Sequence, residues 1–295
     1  MFVITGATGN TGKVIAEKLL SAGKQITVVG REAAKLQDFV QKGAKAAIGS
    51  LEDTKFLAGT FKGAEAVYAL IPPKFDADNF RGYQNKVADA FVSAIKESGV
   101  KNVVTLSSIG AHMPEGAGVV QGLHDFEQKL KSLEGVNVLN LRAGFFLQNF
   151  LGMIPVIKNF GVLGGFPIDG NIKIPMVHTN DVADAAVKHL LNPAFRGQSH
   201  IYVTGERDLT LTESAPVLGK AIGNDGLKYT QFPYDQAKAG MQQMGASESL
   251  ADTYVEFCKA INEGKITSDF VRTAENTTPT SIEDFAKEFA FAYNQ

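Results

Sequence analysis

The stretch Phe2-Val3-Ile4-Thr5-Gly6-Ala7-Thr8-Gly9-Asn10-Thr11-Gly12 constrains this chain more than any other. Three apolar residues run directly into glycines at 6, 9 and 12, and Lys13 to Leu20 then sets Val14, Ile15, Leu19 and Leu20 at helical spacing. Strand, glycine turn and helix in that order make a dinucleotide-binding signal. Gly6 lets the chain turn sharply off the strand, Gly9 leaves bare backbone for a diphosphate, and Gly12 lets the helix pack close to the sheet. The unpaired N–H groups and the positive end of the helix then face the phosphates. Gly6, Thr8, Gly9, Asn10, Thr11 and Gly12 are therefore the expected cofactor contacts of this turn; an ordinary strand-to-helix turn is the plainer alternative.

Downstream, strand and helix patterns alternate with little slack. Gln25–Arg31, Ala44–Ile48, Ala66–Ile71, Asn102–Leu106 and Val136–Leu141 read as strands. Between them lie helical patterns over Glu32–Gln41, up to Phe61, Phe80–Glu97 (ended by Gly99) and His124–Leu133. Such crossovers imply βαβ units, hence an α/β fold with a doubly wound parallel sheet covered on both faces. Residues 151–175 read as loop with short strands, Asn180-Asp181 as the cap of a helix to Leu191, and His200–Val203 as a further strand. Beyond Leu209 the pattern is mainly helical, ending in a helix opened by Ser281 and Asp284 at capping-box spacing. The expected organisation is a dinucleotide-binding domain over 1–150, completed by about 176–204. A smaller lobe over 205–295 would bind substrate, with 151–175 contributing.

A formal charge of −2 speaks against nucleic acid or an anionic membrane as partner, leaving a small-molecule substrate and a monomer or homodimer. The single cysteine, Cys258, allows no intramolecular disulfide and suits a reducing cytoplasm. A first strand at residue 2 leaves no signal peptide expected, and no apolar run is long enough to span a membrane. The histidines at 112, 124, 178, 189 and 200 lack metal-site spacing, and no G-x-S-x-G elbow is present.

Two positions narrow the chemistry. At the end of the second strand, where an acidic residue would bind the ribose of NAD, stand Gly30 and Arg31. A guanidinium suits a 2′-phosphate, so NADP(H) is favoured over NAD(H), with Glu32 keeping NAD open. The chain also has no tyrosine between Tyr83 and Tyr202, so the helix after the fifth strand offers His124-Asp125-Phe126-Glu127-Gln128-Lys129 in place of a Tyr-x-x-x-Lys pair.

The spacing G-x-x-G-x-x-G resembles the short-chain dehydrogenase/reductase superfamily. With the missing tyrosine, Gly30-Arg31, Arg142-Ala143-Gly144-Phe145, Val177-His178-Thr179-Asn180-Asp181 and Pro279-Thr280-Ser281-Ile282, the chain resembles the NmrA-like atypical branch over its whole length. The bacterial quinone reductases and triphenylmethane reductases belong to that group. Ser50 departs from it where many relatives carry an aspartate near the adenine.

That resemblance implies an NADPH-dependent reductase passing hydride to a quinone or similar flat electrophile; the alternative is an NADP(H)-sensing regulatory protein without turnover. Lys129 occupies the superfamily lysine position and is expected at the cofactor, with His124 or Lys129 as catalytic donor to the developing oxyanion. Asp125 and Lys129 could equally be a surface pair four residues apart. The strand ends Ile71-Pro72 and Ser107 are expected to touch the cofactor, and Phe145, Phe146 and Phe150 to floor the substrate pocket. The phenylalanines have the bland alternative of core packing.

Overall fold

The computed structural model describes residues 1–295. Its strands are β1 (Phe2–Ile4), β2 (Ile26–Gly30), β3 (Lys45–Ile48), β4 (Ala66–Ala69), β5 (Asn102–Ser108) and β6 (Asn137–Ala143). They continue with β7 (Phe145–Phe146), β8 (Leu163–Gly164), β9 (Ile174–Val177), β10 (Gln198–Val203), β11 (Asp208–Leu209) and β12 (Tyr229–Thr230). The helices of the first half are α1 (Asn10–Ser21), α2 (Gln37–Gln41), α3 (Thr54–Phe61), α4 (Phe80–Ser98) and α5 (Gln121–Leu130). Those of the second half are α6 (Ile154–Phe160), α7 (Thr179–Leu191), α8 (Leu211–Ala221), α9 (Tyr234–Gln243), α10 (Glu248–Asn262) and α11 (Ile282–Tyr293).

One sheet of seven strands, all paired in parallel, runs β10-β6-β5-β4-β1-β2-β3. Chain order reverses between β1 and β4, and the crevice beyond the carboxyl ends of those strands is where such sheets bind nucleotides. Alternation along the strands explains the two covered faces. Ile4, Val28 and Tyr68 point towards Ile15 and Leu19 of α1 and Val182 and Ala186 of α7. Their neighbours Val3, Val29 and Val67 point the other way, onto Leu57, Phe61, Phe91 and Phe126 of α3, α4 and α5. A further core, with Phe145, Phe150, Phe166, Leu211, Phe285 and Phe289, joins the smaller C-terminal helical lobe of α8–α11 to the sheet. No helix is long and apolar enough to cross a membrane.

Local signals set most boundaries. Asn79 and Asp53 cap α4 and α3, accepting from Gly82 and Phe56 N–H, and Gly99 closes α4 at φ +73. Residues 151–175, expected as loop with short strands, contain α6 as well, preceded by 3-10 turns over Leu147–Met153. Pro155 in its first turn and Gly161 at φ +70 as its cap are ordinary helix punctuation. The cap of α7 is His178, whose Nδ1 accepts from Asn180 N–H at 3.1 Å, and not Asn180-Asp181. Asp181 is instead buried, accepting from Thr278 Oγ1 and Thr280 Oγ1, both at 2.6 Å, and so ties the C-terminal segment to α7.

Candidate active site

The turn after β1 is built around its glycines. Gly6 adopts φ +64, and its carbonyl accepts from Gly9 N–H at 2.9 Å. A Cβ on Gly12 would lie 2.2 Å from that same carbonyl oxygen, so α1 approaches the turn as closely as bare backbone permits. A Cβ on Gly9 would meet nothing nearer than Gly6 O at 3.4 Å, so the space in front of it is open. Gly9 caps α1 without a side-chain bond, and no acidic residue stands in the first turn. The N–H donors of that turn are thus free for a diphosphate. Thr8, Gly9 and Asn10 are exposed there, whereas Thr11 is buried with its hydroxyl accepting from Tyr68 Oη at 3.1 Å. Thr11 therefore braces α1 on β4, and only its backbone is available to a ligand.

A cleft of about 360 Å³ leads away from this turn, lined by Gly6, Thr8, Arg31, Ser50, Pro72 and Lys74 among others. Arg31 makes no ion pair, while Glu32 is bonded by Lys35 at 2.7 Å and does not line the cleft. That hydrogen bond is the chief reason the Glu32 carboxyl lies below its usual range. Lys74 Nζ stands 5.7 Å over the Tyr83 ring, adding a second cation to this end. Glu52 and Asp76 line the cleft as well, Glu52 paired with Lys86 at 2.7 Å, so Arg31 and Lys74 are its cations without an ion-pair partner.

On the far side of Pro73, which lines both, lies an apolar cavity of about 310 Å³. Leu106–Ile109 at the end of β5 and Ala143–Phe146 after β6 form one wall; Phe80 and Gln84 of α4 form another. The cover comes from Phe257 and Ile261 of α10 with Ile266 and Thr267. Helix α10 sits this close because Gly118, at φ +52, presents no side chain; a Cβ there would lie 2.0 Å from Thr253 O. Among the lining side chains only Lys173 is ionisable.

Behind Ser107 lies a buried polar network. Ser107 Oγ donates to Glu127 Oε1 at 2.5 Å, and Arg142 grips the same carboxylate through Nε (3.1 Å) and Nη2 (2.7 Å). Arg142 Nη1 reaches Asp269 Oδ2 at 3.1 Å and Tyr202 Oη at 3.1 Å, and Tyr202 donates to Asp269. Burial opposes the Arg142 charge, but the Glu127 bonds outweigh it and raise the pKa. Tyr202 is pushed up to about 12, mainly by burial, and stays a neutral donor. Only Ser107 of this network opens onto the cavity.

The expected site residues divide accordingly. Gly6, Thr8, Arg31 and Pro72 line the cleft, and Ile71, Ser107, Phe145 and Phe146 line the cavity. Lys129 lines neither: its ammonium pairs with Asp89 of α4 on the outer flank of α5. His124 does not reach the cavity either, its Nδ1 lying 2.9 Å from Ala111 O. The suggested Asp125–Lys129 pair is absent, because Asp125 is held by Arg81 (2.7 and 2.8 Å) and Asn85. Phe150 is fully buried, packing on Phe145, Phe166 and Phe285 in the core. For the three residues of α5 the reason is helical phase. Phe126 and Leu130 turn inward, so Glu127 faces Ser107 and Lys129 faces out. Lys74, Lys173 and the Glu127–Arg142 pair were not singled out; an arginine within the apolar strand of β6 was a usable sign of a buried acid nearby.

A nucleotide cleft at the switch point of a doubly wound sheet, opening beside an apolar cavity, defines a dinucleotide-binding protein with room for a second ligand. The sequence profile of the NmrA-like family matches residues 1–286, and the chain belongs to that family. It is 28% identical over 295 residues to an NAD(P)H azoreductase of Xenophilus azovorans, covering 99% of each chain. Its fold is similar to the NADPH-dependent quinone oxidoreductase of Escherichia coli complexed with NADPH (TM-score 0.79, 23% identity, 98% and 99% of the chains). It is similar also to the triphenylmethane reductase of Citrobacter sp. complexed with NADP(H) (TM-score 0.80, 18% identity, 98% and 100%).

Proposed function

We propose that the protein is an NAD(P)H-dependent oxidoreductase of the cytoplasm that prefers NADPH and reduces a flat, electrophilic small molecule such as a quinone. The observation that carries this reading is the apolar cavity sharing Pro73 with the nucleotide cleft and containing no ionisable side chain but Lys173. The azoreductase and quinone oxidoreductase relatives, named for acceptors of this kind, support it.

The turn of Gly6–Gly12 would hold the diphosphate, and Arg31 with Lys74 the 2′-phosphate. When bound, a reduced nicotinamide supplies hydride. The chain's own residues orient the acceptor and exclude water: Phe145, Phe146 and Ile109 hold a ring system flat, and Ile266 with Phe257 covers it. Ser107 lines the cavity, but its hydroxyl proton is already donated to Glu127, so its oxygen can only accept from a ligand. With neither Lys129 nor His124 in the cavity, the site has no general acid but the Lys173 ammonium at its rim. It therefore suits acceptors electrophilic enough to take hydride unaided, the proton following from water.

The test is NADPH consumption, followed by absorbance, across a panel of quinones and azo compounds. Turnover with at least one planar acceptor is expected. Tight NADPH binding with no turnover across the panel would favour the regulatory alternative.

A further inference from the structure

Lys173, just before β9, is exposed and lines the mouth of the apolar cavity. It also borders a shallow depression with Glu206, Arg207, Asp208, Glu213 and Arg272, where carboxylates abound. Each of those acids is already engaged. Asp208 is bonded by Arg272, with Nε at 3.0 Å, and Arg207 holds Glu206 together with Glu283, the latter at 2.6 Å. Glu213 accepts from Thr210 N–H at 2.8 Å in the capping box of α8. Its pKa is lowered chiefly by those Thr210 bonds, with Lys173 a lesser contributor. Lys173 thus has no carboxylate within ion-pair distance and is the one charge bordering a cavity otherwise apolar or neutral. A cation at the rim without an ion-pair partner, its field only partly offset by the Glu213 carboxylate, attracts an anion and fixes which end of a ligand stays outside.

We propose that Lys173 is a specificity-determining residue that selects aromatic acceptors bearing an anionic substituent, a sulfonate, carboxylate or phosphate, at the end of the ring system nearest the cavity mouth. The ring lies in the apolar cavity and the anion remains at the rim on the Lys173 ammonium. Reduction of such ligands rests on the reductase reading; their binding at Lys173 does not.

The experiment has two arms on the full chain with NADP⁺ or NADPH present. Calorimetry compares naphthalene sulfonate, which is not reducible, with the neutral naphthalene sulfonamide. The sulfonate should bind about fivefold more tightly, the preference should vanish in Lys173→Gln and persist in Lys173→Arg, and added salt should erode it. Kinetics compare a naphthoquinone sulfonate with the parent naphthoquinone, and the ratio of their kcat/KM values should fall by the same factor in Lys173→Gln. Equal binding of sulfonate and sulfonamide by the native protein, or an undiminished preference in Lys173→Gln, overturns the proposal. A Lys173-dependent preference in binding without any NADPH consumption would instead uphold this assignment and defeat the reductase reading.

Discussion

At Gly12 a single methyl group would collide with the Gly6 carbonyl at 2.2 Å, a backbone obstacle that no rotamer change relieves. Gly12→Ala should therefore abolish measurable NADPH binding in a titration and lower stability by roughly 1–3 kcal/mol through strain. Arg31 belongs to the same scale. On the proposed reading Arg31→Ala would remove a charge-assisted bond to the 2′-phosphate, so the Kd for NADPH should rise by about 10- to 100-fold while that for NADH hardly moves. Equal losses for both nucleotides would contradict the assignment. Cys258 is fully buried, and burial pushes its thiol up to about 12. A raised pKa favours the folded state below the ordinary thiol value, a contribution that fades as pH climbs towards 12. The native protein should resist aromatic disulfide reagents at pH near 8 and react only once unfolded.

Among elements, α5 carries the widest difference between sequence and structure. Its presence was legible from Phe126 and Leu130, but its phase was not, because His124, Asp125 and Lys129 attract attention as chemistry-bearing residues. The fold uses them on the outside, on Arg81, Asp89 and the Ala111 carbonyl, and turns Glu127 inward. The pairing across 20 residues from Ser107, and 15 from Arg142, depends on how β5, β6 and α5 stack, which no local pattern records. By contrast β1, the glycine turn and α1 are contiguous in sequence, and their geometry was legible for that reason. Since Glu127 and Arg142 are both buried, Glu127→Ala should leave the guanidinium with only Asp269 and Tyr202 and cost about 3 kcal/mol in urea unfolding. The double variant Glu127→Leu with Arg142→Leu should cost less than Glu127→Ala alone.

Over the whole molecule, the cavity exists because the C-terminal lobe folds back over the sheet. Ile266 and Thr267 cover it, and Asp269, two residues on from Thr267, is anchored on Arg142 and Tyr202. Asp269→Ala should loosen that cover, lowering kcat/KM for the acceptor by up to ~100-fold while leaving the Kd for NADPH near its native value. A matching loss of NADPH affinity would show that the cover serves the cofactor instead. The central claim remains that the turn of Gly6–Gly12 and the cleft containing Arg31 hold NADPH beside that cavity. Isothermal titration with NADPH and NADH tests it most directly. One site per chain with NADPH bound at least tenfold more tightly is the predicted result; no heat of binding with either nucleotide would contradict it.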